Sequence, residues 1–171
     1  MIDKSIFRQY DIRGIVNENL TAETSKLIGY YLGKYLKTKF NESIYIVVGY
    51  DVRKHSKTLF EALISGINYA QCKVINIGLV ATGVNYFATY QKLKIENKDI
   101  VPTASIMITG SHNAKKYNGF KITVKNQPFF GDELLDLYNS IKDIHIPQNS
   151  SFIKYDIKKD YIKYMLEQFS H

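Results

Sequence analysis

The sequence predicts a three-layer α/β domain, and three observations carry that expectation. Apolar runs short enough for strands alternate with segments whose apolar residues recur at helical spacing. One run, 44–48, has no polar alternation, so both of its faces are expected to be covered. Polar loops rich in charge or glycine stand at the ends of several runs, where open α/β sheets place their ligands.

The totals are compatible with this class. A chain of 171 residues with 45% apolar content fits one domain, or one domain plus part of another. No run is long and apolar enough to span a bilayer, and residues 1–7 lack a signal-peptide core, so a cytoplasmic protein without a membrane partner is expected. The lone Cys72 excludes an internal disulfide and a cysteine metal cage, and it reads as a small core residue. The net charge of +7 is almost all lysine, spread along the chain; the arginines are Arg8, Arg13 and Arg53. There is no strand-borne aromatic pattern for stacking bases, so no nucleic-acid partner is expected. A basic surface favours small phosphorylated ligands equally well.

In chain order, residues 6–16 read as two apolar stretches around a turn that carries Arg8, Asp11, Arg13 and Gly14. Arginine suits bidentate recognition of phosphate or carboxylate; an Asp11–Arg13 pair that merely holds a strand crossing is the simpler alternative. A helix is predicted from Thr21, its N-cap, to about Thr38, and its Gly29 and Gly33 would let another element approach closely. Strand 44–48 leads into 49–53. Ser56 then caps a helix to about Ala70, strand 72–77 follows, and a helix from Thr82 to about Leu93 comes next. Run 104–108 precedes the densest polar stretch, 109–121, and 120–124 is another strand. Asp132 caps a helix whose apolar residues are Leu134, Leu135, Leu137, Tyr138 and Ile141. Residues 145–151 read as a linker, 152–156 as extended, and 160–169 as an amphipathic helix. The predicted domains are therefore 1–145, and 146–171 as a linker plus the first helix of a second domain. A terminal helix packed back on the first domain is the alternative.

Three loops carry special chemistry: 8–14, 49–53 and 109–121. If the sheet gathers them, Ser111 meets His112, Lys121 and Arg13. An ordinary polar turn remains open for 109–121 on local grounds. A serine hydroxyl is a weak nucleophile without a base or a cationic setting. There is no Gly-x-Ser-x-Gly elbow and no Walker A pattern. A phosphorylated serine would be close to dianionic and would suit nearby Lys, Arg and Mg²⁺.

These residues carry a family resemblance. Thr109-Gly110-Ser111-His112-Asn113, followed by Tyr117-Asn118-Gly119-Phe120-Lys121-Ile122, resembles the active-site serine loop of the α-D-phosphohexomutases. Phe7-Arg8-Gln9-Tyr10-Asp11-Ile12-Arg13-Gly14 is similar to that family's N-terminal signature, and Gly49-Tyr50-Asp51-Val52-Arg53 to its next one. The three occur in the right order over residues 6 to about 142. They resemble the phosphomannomutase/phosphoglucomutase branch more than the phosphoglucosamine mutases. The resemblance implies a three-layer α/β/α domain with a mixed sheet, the first of four.

The resemblance also implies a chemistry. Ser111 carries a phosphoryl group and passes it to a hexose 1- or 6-phosphate. The hexose bisphosphate reorients and returns the other phosphoryl group, so phosphate moves between C1 and C6. The implied catalytic residues are Ser111, His112, Lys121 and Arg13, with Lys121 a candidate for proton transfer. Tyr10, Asn113 and Arg53 are implied phosphate- or substrate-binding residues. Mg²⁺ would touch this chain through the phosphate on Ser111. Two departures stand out: Ala114 replaces the usual proline after Ser-His-Asn, and 80–83 lack expected prolines, which loosens both loops. The acidic metal loop and the sugar-selecting parts have no counterpart here, and no Asp-Gly-Asp cluster occurs. Weak activity alone, or work with a complementing chain, is expected. A non-catalytic phosphosugar- or anion-binding remnant is the alternative.

Overall fold

The computed structural model describes residues 2–169. A 3-10 turn at Lys4–Ile6 opens into a tight hairpin that delivers the chain to β1 (Ile12–Ile15). Then come α1 (Ala22–Lys39), β2 (Tyr45–Tyr50), α2 (Ser56–Tyr69), β3 (Lys73–Leu79), α3 (Thr82–Thr89), β4 (Leu93–Ile95) and β5 (Lys98–Ile100). After these follow β6 (Ala104–Ile108), β7 (Tyr117–Val124), β8 (Gln127–Pro128), α4 (Asp132–Ser140), β9 (Ile153–Lys154) and α5 (Ile157–Phe169).

A seven-stranded mixed sheet runs in the order β1-β7-β6-β2-β3-β9, with β8 paired to β7. Strands β6, β2, β3 and β9 are parallel, and β7 is antiparallel to both β6 and β1. The absence of polar alternation in β2 has a direct cause. Ile46 and Val48 face one core, with α1, α2 and α4, while Val47 faces the other, with α3 and α5. β6 divides likewise, Ile106 and Ile108 to one side and Met107 to the other. Helices on both faces make the three-layer α/β/α arrangement that the sequence predicts.

Helices α1 and α2 pack almost backbone to backbone. A Cβ on Gly29 would stand 2.2 Å from the Leu63 carbonyl oxygen, and one on Gly66 would stand 1.9 Å from that of Lys26. The close approach expected at Gly29 and Gly33 is therefore real, with α2 as the partner and Gly66 as its counterpart. Thr21 caps α1 as predicted, its hydroxyl accepting from the Thr24 N–H at 3.1 Å.

Several details differ from the sequence reading. Ser56 and Asp132 are the first residues of α2 and α4 rather than their caps; His55 and Gly131 hold the cap positions. Leu135 lies on the outer side of α4, 39% exposed, where a core position was expected. The helix from Thr82 ends at Thr89, and a hairpin, β4–β5, follows. Glu96 and Asn97 turn it with φ of 48° and 62°, the left-handed pair that two-residue hairpins need.

Residues 145–151 lack regular structure but are strapped to α2. Asn149 N–H donates to Ser65 Oγ at 3.1 Å, and Asn68 Nδ2 donates to the carbonyls of Asn149 and Ser151 at 3.0 and 2.9 Å. β9 then extends the main sheet, with Ile153 beside Ile75. Main-chain pairing thus crosses the expected edge at 145/146. Ile157 is fully buried, and Phe87 of α3 meets Tyr161 and Tyr164 of α5 at ring distances of 5.3 and 5.2 Å. The outer side of α5 stays open, with Ile162, Leu166 and Phe169 at 58%, 66% and 72% exposure. Among the described residues no helix is long and apolar enough to cross a membrane.

Candidate active site

Sheet register brings the three loops together. Tyr50 of β2 lies beside Ile108 of β6, so the first residues past these parallel strands, Asp51 and Thr109, are neighbours. Their contact is direct: Thr109 Oγ1 donates to Asp51 Oδ2 at 2.9 Å. β7 returns antiparallel and pairs Gly119 with Arg13 of β1, which carries the N-terminal loop to the same end. Arg13 Nη1 then donates to the carbonyl of Gly110 at 3.0 Å.

Asp51 is the hub of the second loop. One carboxylate oxygen accepts from the Arg53 N–H at 3.0 Å and the Ser56 hydroxyl at 2.6 Å. The other accepts from Thr109 and from the Gly110 N–H at 3.3 Å, and it faces Arg53 Nε at 3.3 Å. Burial alone would raise this carboxyl. The hydrogen bonds from Ser56, the Arg53 amide, Thr109 and the Gly110 amide outweigh it and hold the group below the usual carboxylate range. A depressed folded-state value stabilises the fold fully above the unfolded value, near pH 4, and the stabilisation is lost as pH falls through the folded value. Asp51→Asn is therefore expected to lose part of the stability drop below about pH 4 while being less stable at neutral pH. Parallel acid-unfolding curves of the two proteins would contradict this.

Arg53 holds the serine loop from below. Its Nη1 donates to the carbonyls of Ala114 (2.9 Å) and Tyr117 (3.1 Å), and its Nη2 to those of Ser111 (3.0 Å) and Asn113 (2.7 Å). Both Nη groups are thus taken up by loop carbonyls, and Nε lies in ion-pair contact with Asp51. Two further carbonyls of the loop are bound: His55 Nε2 reaches Lys115 O at 3.0 Å, and the Val16 N–H donates to Lys116 O at 2.9 Å. Gly110 is what lets Arg53 lie so close, since a Cβ there would stand 2.4 Å from the guanidinium carbon.

Ser111 is exposed and sits at φ 50°, a left-handed conformation unusual for a non-glycine residue. That conformation costs roughly 1–2 kcal/mol. It is held by its N–H, which donates to Thr109 Oγ1 at 2.9 Å, and by its carbonyl on Arg53. The Asn113 N–H closes the turn on Gly110 O at 3.0 Å, and its side-chain amide donates to the same oxygen at 3.2 Å. His112 is exposed at the tip of this turn.

On the other side, Asp11 accepts from Arg13 and from Lys121 Nζ at 3.3 Å. Arg13 is 5% exposed, and its Nε is a buried N–H with no hydrogen-bond partner among the described residues. The strand-holding alternative for Asp11–Arg13 is thus half of the picture: the pair exists, and it also bears on Gly110. Tyr10 stands at the hairpin tip, 68% exposed, its ring stacked on Phe130 at 6.1 Å.

The structure therefore gathers Arg13, Arg53 and Asn113 on the serine turn, links Lys121 to Arg13 through Asp11, and leaves Tyr10 and His112 exposed. The donor set does not fit a magnesium ion by itself. Among the described residues no group of three His, Cys, Asp or Glu side chains is placed to hold a metal. Asp11 and Asp51 instead face ammonium and guanidinium groups.

Asp51, Ser56, His55, Thr109 and Asn118 are residues whose parts in the site were not singled out. Asp51 and Thr109 carried a signal, since each immediately follows an apolar strand. His55 carried none and Asn118 only its place in the 117–122 motif: their meeting across 63 positions depends on tertiary structure.

Comparison with known proteins bears on the fold that carries these residues. Residues 4–145 match phosphoglucomutase/phosphomannomutase, alpha/beta/alpha domain I. A phosphomannomutase/phosphoglucomutase of Pseudomonas syringae is 32% identical over 95% of this chain and 33% of its own length. One from Pseudomonas aeruginosa is 37% identical over 81% of this chain and 28% of its own. A crystal structure of a phosphoglucomutase/phosphomannomutase family protein from Burkholderia thailandensis superposes with a TM-score of 0.89 at 33% identity, covering 98% of this chain and 36% of that one. The chain spans about a third of the length of these relatives. It belongs to the phosphoglucomutase/phosphomannomutase family and carries that family's first α/β/α domain.

Proposed function

We propose that this chain supplies the phosphoryl-carrying serine of a hexose phosphate mutase, as its relatives' names imply. The observation that supports this most is electrostatic. Three cationic side chains, Arg13 and Arg53 on the turn that holds Ser111 and Lys121 joined to Arg13 through Asp11, stand against two carboxylates, Asp11 and Asp51. One positive charge is left over, and the buried Nε of Arg13 lacks an acceptor. A phosphate on Ser111 would bring both negative charge and acceptor oxygens.

In this reading Ser111 Oγ takes a phosphoryl group from a hexose bisphosphate. The sugar O–P bond breaks, the Oγ–P bond forms, and the serine proton passes to the departing sugar oxygen, with Lys121 the proton-transfer residue. The reverse step delivers the group to the other end of a hexose monophosphate. Arg13 holds the loop and offers charge. Arg53 is a positioning residue rather than a phosphate ligand, because its donors already hold loop carbonyls. Asn113 shapes the turn, and Tyr10 meets the sugar from the hairpin tip. His112, at the tip, contacts the incoming phosphate. Mg²⁺, when bound, would neutralise charge on the phosphate, with its remaining ligands drawn from outside this chain.

The open side of α5, where Tyr161, Ile162, Met165, Leu166 and Phe169 line a groove of about 420 Å³, offers a surface for the remaining two thirds of such an enzyme. Full turnover is expected only with those parts supplied, in the same or a complementing chain.

The test is intact-mass analysis after incubation with glucose 1,6-bisphosphate. The chain is expected to gain one phosphate, and Ser111→Ala none. Ser111→Gly is also expected to gain none, yet to be about 0.5–1 kcal/mol more stable in urea, since glycine relieves the left-handed backbone. Bisphosphate that binds without transferring would mark a non-catalytic anion-binding domain instead.

A further inference from the structure

We propose that His55 is a positioning residue for the serine loop, held as one ring tautomer by a buried polar network; the functional meaning of this role rests on the reading of Ser111 given above. His55 stands at the cap position of α2, yet its side chain makes no capping hydrogen bond. Its ring bridges to the loop instead. Nε2 lies 3.0 Å from the carbonyl of Lys115, and Nδ1 lies 2.9 Å from Asn118 Nδ2.

The network leaves little freedom in who donates. Asn118 is fully buried, and its side-chain oxygen accepts from the Gly119 N–H at 2.9 Å. Its NH₂ therefore faces the other way, with one hydrogen for Ser56 Oγ at 2.9 Å and one for His55 Nδ1. The Ser56 hydroxyl donates onward to Asp51 Oδ1 at 2.6 Å, so it accepts from Asn118. Turning the Asn118 amide over would set its NH₂ against the Gly119 N–H, two donors face to face. Nδ1 of His55 must accept, so in the neutral ring the proton sits on Nε2, where it donates to Lys115 O.

The consequence lies in the loop. Arg53 binds the carbonyls of residues 111, 113, 114 and 117. Lys115 lies between those anchors, at the point where the turn folds back towards β7. The His55 bond sets the height of that limb and ties it to the residues that hold Asp51. The serine turn and the Asp51 hub are thereby linked on both sides of Arg53.

Two substitutions separate the two halves of the bridge. His55→Gln keeps an N–H able to reach Lys115 O. His55→Asn keeps an acceptor near Asn118 but is too short to reach the loop. Hydrogen exchange is followed by NMR on the full 171-residue chain at the amides of Ser111, Asn113 and Tyr117, which are bonded within the turn. His55→Asn is expected to speed exchange of Tyr117 and Asn113 by about tenfold, the loss of one hydrogen bond, and His55→Gln by less than about threefold. Long-range ¹H–¹⁵N correlation of the wild-type ring at neutral to mildly alkaline pH is expected to show the Nε2–H tautomer. A ring carrying its proton on Nδ1, or equal exchange in the wild type and both variants, would overturn the proposal. None of these readings needs phosphate, so they decide the matter whether or not Ser111 takes up a phosphoryl group.

Discussion

Arg53→Ala is expected to lower the unfolding free energy by about 3 kcal/mol and to abolish phosphoryl uptake at Ser111. Charge-assisted hydrogen bonds contribute about 1.5–3 kcal/mol each, and removing one member of a half-buried ion pair strands the other. Here the loss would leave Asp51 without its cation and four loop carbonyls without their donors. Ser111 would then relax from φ 50°, because its carbonyl anchor is gone. Arg53→Lys is the instructive companion. An ammonium group carries the charge but cannot reproduce the planar fork that serves four carbonyls at once. It is expected to recover part of the stability and little of the uptake. Urea unfolding and intact-mass analysis of both variants measure this. An alanine variant within about 0.5 kcal/mol of the wild type, the ordinary range for a surface position, would refute the stapling role.

Asp11→Ala is expected to destabilise by about 3–5 kcal/mol, the usual cost of leaving a buried charge alone. Arg13 is 5% exposed and already has one unpartnered N–H, so it has no local replacement for the carboxylate. The double variant Asp11→Leu with Arg13→Met is expected to regain most of that loss, because replacing both partners by apolar groups is often neutral. It should nevertheless take up no phosphate, since the cation beside Gly110 is gone. Stability would thus be largely restored while uptake stays lost in the same protein. A double variant as unstable as the single one would show that the pair does more for the fold than neutralise itself.

The layered fold was readable because its signals are local. The unbroken apolar run in β2 reports two covered faces, and helix periodicity reports the others. Boundaries failed where a side chain's partner is distant. Ser56 looks like a helix cap, yet its hydroxyl goes to Asp51 and supports the serine loop. Residues 145–151 look like a free linker because their polar side chains suit one; the hydrogen bonds to Ser65 and Asn68 that hold them appear only once α2 is in place. The β4–β5 hairpin starts at Leu93, where the predicted helix ends, and its turn at Glu96 and Asn97 has no glycine to mark it.

For the site, the residue types of the loop pointed to anionic chemistry around Ser111, but roles could not be divided from sequence. Arg13 and Arg53 look alike as phosphate-seeking arginines. Only geometry separates them, one with an N–H to spare and the other with its Nη donors on loop carbonyls and its Nε against Asp51.

The bonds that shape the Ser111 turn join residues far apart along the chain. Arg53 reaches positions 58 to 64 residues downstream, Arg13 reaches Gly110 across 97, and Lys121 reaches Asp11 across 110. Contacts of such separation form late, after the entropy of closing long loops has been overcome. A nascent chain would therefore hold Ser111 in a nondescript flexible stretch until β7 had been synthesised and had paired with β1. Chemistry at that hydroxyl would then be a stamp of completed folding: a chain that accepts a group there has already brought its first and last strands of the site together.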